Sequence, residues 1–227
     1  MLRAIRFAAA PLAGIGVAIA TTSRDAPKAT TPLPPVLRKS FAPPEDGFFV
    51  AGTLTVTHHL PPINFLQQHV LGIVPPAGQQ RTVVRHTVDG QSGTVLWLRL
   101  FGDAQSTFST LWTMDGPAEP ASERFAGVVD IAQRLECSTA PGGGLRATLR
   151  HESTSLLGVV PLPRMLLVTN CVMDVCDDGT GYDLCVEVTL AGLPMVTYSG
   201  RLRECTGRPS EFLSAREAAA MRAVNKG

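Results

Sequence analysis

The 227-residue chain is 44% hydrophobic, enough for a full core in one large domain or two small ones. Its net charge of +1, with only 17% charged residues, gives no electrostatic footprint for a nucleic acid or another polyanion. The 21 glycines and 18 prolines fall between apolar runs and read as turns, not as a disordered tract.

Residues 1–24 read as a targeting segment. Arg3, Arg6 and Arg24 with the hydroxyls of Thr21, Thr22 and Ser23, and no acid before Asp25, have the composition of a mitochondrial transit peptide. A secretory signal is the alternative, from the basic start, the apolar run Phe7 to Ala20 and the Ala18-Ile19-Ala20 pattern. A membrane-surface anchor is the third reading. No integral span is expected, because the run is short and is interrupted by Pro11, Gly14 and Gly16. Five cysteines, an odd number, lean away from a secreted disulfide framework.

Residues 25–44 are rich in Pro, Thr and Ala, the composition of a linker or arm, within which Leu33-Pro-Pro-Val-Leu37 is a stretch able to dock. A β-rich domain is then expected over 45–205. Gly52 to His58 alternates as a strand. Pro61-Pro62 opens a short helix near 62–72, stopped by Gly72 and Pro75-Pro76. Arg81–Val88 and Thr94–Phe101 flank Asp89-Gly-Gln-Ser-Gly93, a hairpin signal. Further strands are predicted over Ser106–Met114, over Phe125–Cys137 with a break at Ala126-Gly127, and over Leu145–Ser155. Leu156–Pro163 is an apolar loop, unusual for a segment expected at the surface. It would plug a barrel end, line a pocket or meet a partner.

Leu166–Cys176 and Tyr182–Leu190 form a hairpin around Asp177-Asp-Gly-Thr-Gly181, and Met195–Arg203 is the last strand. A C-terminal helix follows within 206–227, capped by Ser210, with Ser214 and Glu217 offering a second, capping-box start. The fold class is therefore mainly β: an antiparallel meander curled into a barrel or half-barrel, with two short helical pieces.

Leu33-Pro-Pro-Val-Leu37 with Phe41, Gly52-Thr-Leu-Thr-Val56, Pro75-Pro-Ala-Gly78, Trp97-Leu-Arg99-Leu-Phe101 with Ser106, Glu123-Arg-Phe125, Leu157-Gly-Val-Val-Pro-Leu-Pro163 and Tyr198-Ser-Gly-Arg-Leu202 occur in an order and spacing that resembles domain-of-unknown-function family 4166. That family occurs alone, at the C-terminus of some saccharopine-dehydrogenase-like reductases and in some bacterial membrane proteins. Two departures are Ala126, where a Gly follows the Phe, and Asp174 at a late acidic site. The resemblance implies fold and domain extent and carries no activity. The chain has no Gly-rich strand–turn–helix nucleotide fingerprint.

Candidate chemistry is sparse. His58 and His59 are adjacent and point to opposite faces of a strand, while His69, His86 and His151 lie on separate elements and are expected partly exposed. Cys137, Cys171, Cys176, Cys185 and Cys205 contain no Cys-x-x-Cys knuckle and read mainly as small hydrophobes. Asp177-Asp178 is turn chemistry, and Ser106, Ser155 and Ser199 lack a nucleophile elbow. No enzyme, metal or cofactor is expected.

One strand stands out. In Thr94–Phe101 the residues Val95, Trp97, Arg99 and Phe101 share one face and Leu96, Leu98 and Leu100 the other, so the strand should be covered on both sides. Arg99 then needs a buried counter-charge, and Glu123 is preferred, as a structural ion pair or as a ligand anchor. Trp97, Arg99, Phe101, Glu123 and Tyr198, with Leu157 and Leu162, are the candidate lining of a mostly apolar cavity for a hydrophobic or amphipathic, lipid-like ligand. The alternative is an accessory or assembly subunit of a mitochondrial protein complex, its arm, helix and apolar loop being interfaces.

Overall fold

A computed structural model describes residues 33–66, 75–88, 94–103, 106–113, 121–125, 128–163 and 166–224. Segment 1–24 and residues 25–32 of the Pro-rich stretch lie outside it. The elements in chain order are α1 (Pro35–Phe41), β1 (Phe48–His58), α2 (Pro61–Leu66), β2 (Gly78–Val88), β3 (Val95–Phe101), β4 (Ser106–Thr113), β5 (Ala121–Phe125), β6 (Val129–Thr139), β7 (Leu145–Leu156), β8 (Val160–Pro161), β9 (Leu167–Val175), β10 (Gly181–Leu190), β11 (Leu193–Glu204), α3 (Pro209–Phe212) and α4 (Ala215–Val224).

Ten of these strands pair antiparallel with their chain neighbours, and β1 pairs with β11 from Val50 opposite Glu204 to His58 opposite Val196. With the β6–β7 pairing, that ladder closes the sheet into a barrel. The short β8 folds back on the end of β7. Alternation along each strand decides which side chains fill the interior. Val50, Leu54 and Val56 of β1, Val84 of β2, Leu149 of β7, Met173 of β9, Val186 of β10 and Leu202 of β11 all point inward and are buried. Bound charges occupy the outer wall instead, with Arg146 on Asp174 at 2.6 Å, Arg134 on Glu152 at 2.5 Å and Arg201 on Asp183 at 2.7 Å. An extra residue in β7, where Gln133 pairs with His151 and Ala132 with Ser153, reverses the alternation and buries Thr154.

Glycine sets how tightly β1, β11 and β10 coil. A Cβ at Gly52 would lie 1.9 Å from the Arg201 carbonyl oxygen, and one at Gly181 2.3 Å from that of Leu202. Both obstacles are backbone, which a side-chain rotation cannot relieve. Gly52→Ala is therefore expected to cost about 1–3 kcal/mol, or more if the ladder opens. Urea unfolding monitored by tryptophan fluorescence measures it.

The Pro-rich stretch does more than link. Pro35 at the first turn starts α1 with its φ already helical and no amide to leave unsatisfied. The helix enters the barrel end at which β1 begins and β11 finishes, and Lys39 bonds Glu204 there at 2.6 Å. Val36, Leu37, Ser40 and Phe41 are buried among inward side chains, so the domain begins before residue 45 and its interior is filled by its own N-terminus. The predicted helix near 62–72 is observed as α2; residues 67–74 lie outside the described set.

Leu98 and Leu100 of β3 and Val83 of β2 face outward and are covered by Met221 of α4 with Leu213 and Ala220. The C-terminal helix thus explains the two apolar faces of the central strand. Ser214 and Glu217 form the capping box, the Ser214 amide donating to Glu217 Oε2 at 2.9 Å and the Glu217 amide to Ser214 Oγ at 3.1 Å. Ser210 does not cap a helix: α3 is a short turn begun by Pro209 after Arg208, without a side-chain cap. Among the described residues no helix is long and apolar enough to cross a membrane.

Candidate functional site

At the centre of the barrel β3, β4 and β5 bring three polar side chains together. Arg99 is 8% exposed and Glu123 3% exposed, and Arg99 Nη2 donates to Glu123 Oε1 at 3.1 Å. The Thr110 hydroxyl oxygen accepts from Arg99 Nη1 at 2.8 Å and from Trp112 Nε1 at 3.2 Å, and it also bonds the Glu123 carboxyl. Trp97 lies under the guanidinium, 5.2 Å from ring centroid to Cζ. Burial raises the Glu123 carboxyl above its ordinary range; the positive charge of Arg99 and the hydrogen bonds pull it back only partly.

Beside this pair is a cavity of about 30 Å³. Trp97, Arg99, Phe101, Glu123 and Tyr198, five of the residues expected from the sequence, line it. Phe101 and Tyr198 meet edge to face with centroids 6.3 Å apart. Leu157 and Leu162 do not join them. Leu157 sits on the β7–β8 turn and is 64% exposed, and Leu162 is half-buried beyond β8, its amide donating to Thr154. The apolar loop expected to plug or line the interior is an exposed hairpin tip instead, turning on Leu157 and Gly158, both of positive φ.

Sequence reasoning missed most of the lining. Gln133 of β6 is buried, its amide nitrogen reaches the Thr169 carbonyl only at 3.5 Å, and its Oε1 has no partner among the described residues. Thr169, Cys171 and Tyr182 also line the wall. Burial first, then the nearby Glu123 charge, push the Cys171 thiol up to about 12, which disfavours its thiolate. None of the five cysteines is bridged. Among the described residues, no group of three or more His, Cys, Asp or Glu is placed to hold a metal ion.

His86 is the largest departure. Expected partly exposed, it is wholly buried, stacked 4.6 Å from Trp97. Its Nδ1 lies 2.9 Å from the Ser40 carbonyl oxygen, which also accepts from Trp97 Nε1 at 3.0 Å. That carbonyl can only accept, so Nδ1 carries the proton. The Ser40 hydroxyl donates to Val36 and bonds Tyr182. Ser40 is thus the point at which α1 is fastened inside the barrel. Phe41 extends the contact onto Trp97 and Trp112, with centroids at 5.2 and 5.9 Å.

Burial holds the His86 imidazole down to about 3, against 6.5 for an ordinary histidine. The folded ring therefore stays neutral while the unfolded one takes up a proton below about pH 6.5, and stability falls as pH drops through that window. Glu123 has the opposite sign: its raised value means that acid favours the folded form, and this contribution is lost as pH rises above the ordinary carboxylate range. Between about pH 7 and 4.5, wild type is expected to lose about 2–3 kcal/mol more than His86→Phe, at ~1.4 kcal/mol per pH unit. Urea midpoints of the two proteins across that range read the difference.

The fold and site define a closed, helix-plugged antiparallel barrel with a buried Arg–Glu pair at its centre. A family model described as a domain of unknown function, DUF4166, matches residues 33–202, from just before α1 into β11, and the chain belongs to that family. No curated protein and no solved structure matches it.

Proposed function

We propose that the chain is a non-catalytic binding module whose barrel interior takes an amphipathic, lipid-like molecule, polar head at Arg99, Glu123 and Gln133 and apolar part among the aromatic rings. The observation that carries this reading is the convergence of a buried guanidinium, a carboxyl with raised affinity for its proton and an unpartnered amide oxygen on one cavity. A ring of apolar side chains would have packed the barrel at lower desolvation cost. Protonation of Glu123 loosens its hold on Arg99, leaving the cation to an anionic head and a hydroxyl donor on the carboxyl.

Size sets the condition. A cavity of about 30 Å³ holds about two waters, whereas drug-sized ligands occupy about 300–1,000 Å³. The acyl part has room only where Val36, Leu37 and Phe41 now sit, so ligand and α1 compete for one volume. Native mass spectrometry of gently purified full-length protein, before and after organic extraction, tests the reading. A lost mass of lipid size is the expected result, and a bare chain in both spectra counts against it.

The second reading, an accessory subunit of a mitochondrial complex, rests on the exposed Leu157–Val160 turn and on the composition of residues 1–24. A co-purifying protein in the same spectra would favour it.

A further inference from the structure

We propose that the head of the interior ligand carries a hydroxyl beside its acid group, so that the barrel selects 2- or 3-hydroxy acids over plain long-chain carboxylates. This deepens the reading above and rests on it. Inward polar side chains form a band across four consecutive strands: Arg99 on β3, Thr110 on β4, Glu123 on β5 and Gln133 on β6. Glu123 pairs with Ile131, and Gln133 is the next inward position along β6. Such diagonal neighbours have Cα atoms about 7–8 Å apart, a span that one small polar head can bridge. On the far side β1, β10 and β11 contribute Leu54, Val186 and Leu202 with the rings of Tyr182 and Tyr198. The polar atoms of a ligand therefore belong along the band.

Donors and acceptors in the band do not balance. Arg99 donates through Nη1 to Thr110 at 2.8 Å and through Nη2 to Glu123 at 3.1 Å, and the Trp112 indole donates to Thr110 at 3.2 Å. Gln133 closes the band and is 1% exposed. Its Nε2 faces the Thr169 carbonyl at 3.5 Å, and a carbonyl only accepts. Turning the amide over would set two acceptors against each other, so the orientation is fixed by chemistry. Oε1 is then the atom without a donor among the described residues. A buried acceptor left in that state carries its full desolvation cost, which only an incoming donor offsets.

One head meets both needs. The space of about 30 Å³ takes about two oxygen-sized groups. One of them accepts from Arg99, and the other must donate to Gln133. A plain carboxylate brings acceptors alone and leaves Oε1 as it was. An ammonium would supply the donor but adds a buried cation beside Arg99. A hydroxyl on carbon 2 or 3 is neutral, small and next to the acid, which is where the band places the need.

Isothermal titration of the full chain with tetradecanoate, 2-hydroxytetradecanoate and 3-hydroxytetradecanoate tests this. At least one hydroxy acid is expected to bind at least ~10-fold more tightly than tetradecanoate, the gain of giving a buried acceptor its donor. In Gln133→Leu that advantage should vanish, with cooperative urea unfolding verifying the fold; Gln133→Met serves if the leucine variant does not fold. Equal affinity of wild type for the three acids means that water meets Oε1, and it overturns the proposal while leaving the interior site standing. An advantage that survives the loss of the amide puts the hydroxyl elsewhere and overturns it too. Binding of none of the three removes the interior reading, and this inference with it.

Discussion

Arg99→Met is expected to lower the unfolding free energy by about 3–5 kcal/mol, the largest single effect at the site, because it leaves the Glu123 carboxyl buried without its cation. The pair loses little solvent-facing screening, with side chains 10% and 4% exposed. Arg99 also satisfies the Thr110 hydroxyl and rests on Trp97, so the truncation disturbs three neighbours at once. Arg99→Met combined with Glu123→Leu should recover most of the loss, since replacing both charges removes the desolvation cost together with the attraction. Urea unfolding followed through Trp97 and Trp112 measures both, and a double variant no more stable than the single one would show that the pair holds the strands in register.

Phe41→Ala carries the second large effect. The ring is 5% exposed and fills the space between two tryptophans, so its removal should cost about 3–5 kcal/mol through lost transfer energy and a residual cavity. If α1 and a ligand share one volume, the same truncation has a functional sign opposite to its cost in stability. Affinity for a fluorescent long-chain carboxylate should rise at least ~10-fold, equivalent to about 1.4 kcal/mol of competition removed. Competition by an unlabelled carboxylate distinguishes this from dye uptake by loosened protein. Destabilisation without tighter binding would leave α1 a structural plug alone.

Much of the barrel was legible because strand period and turn chemistry are local. Asp177-Asp-Gly marks the turn between β9 and β10, the hairpin signal at 89–93 lies outside the described residues though β2 and β3 do pair, and alternation over Gly52–His58 and Thr94–Phe101 gives the inward faces correctly. The sequence predicts a strand from Phe125 to Cys137 broken near 126–127, whereas two strands, β5 and β6, lie on either side of that gap and the first begins at Ala121, which the pattern does not announce. Closure was harder to choose over an open half-barrel, since the β1–β11 ladder joins residues at opposite ends of the domain and has no turn to announce it.

Arg99 found Glu123 by an argument of cost, which works for charges and fails for neutral groups. Thr110 and Gln133 are as well placed, yet a hydroxyl or amide on a strand is equally at home outside. His86 was missed for a related reason: a neutral imidazole tolerates burial once one nitrogen is bonded, and its acceptor is the backbone of a seven-residue helix too short to show a period. The exposed Leu157 shows the converse. Hydrophobicity placed it in the interior; backbone geometry did not.

Isothermal titration of tetradecanoate into the full chain, set against the Arg99→Met, Glu123→Leu double variant, tests the interior site most directly. Saturable one-to-one binding by wild type and its loss in a variant that still unfolds cooperatively is the result expected. No heat of binding in wild type, or equal affinity in both proteins, would contradict a ligand anchored at the buried guanidinium.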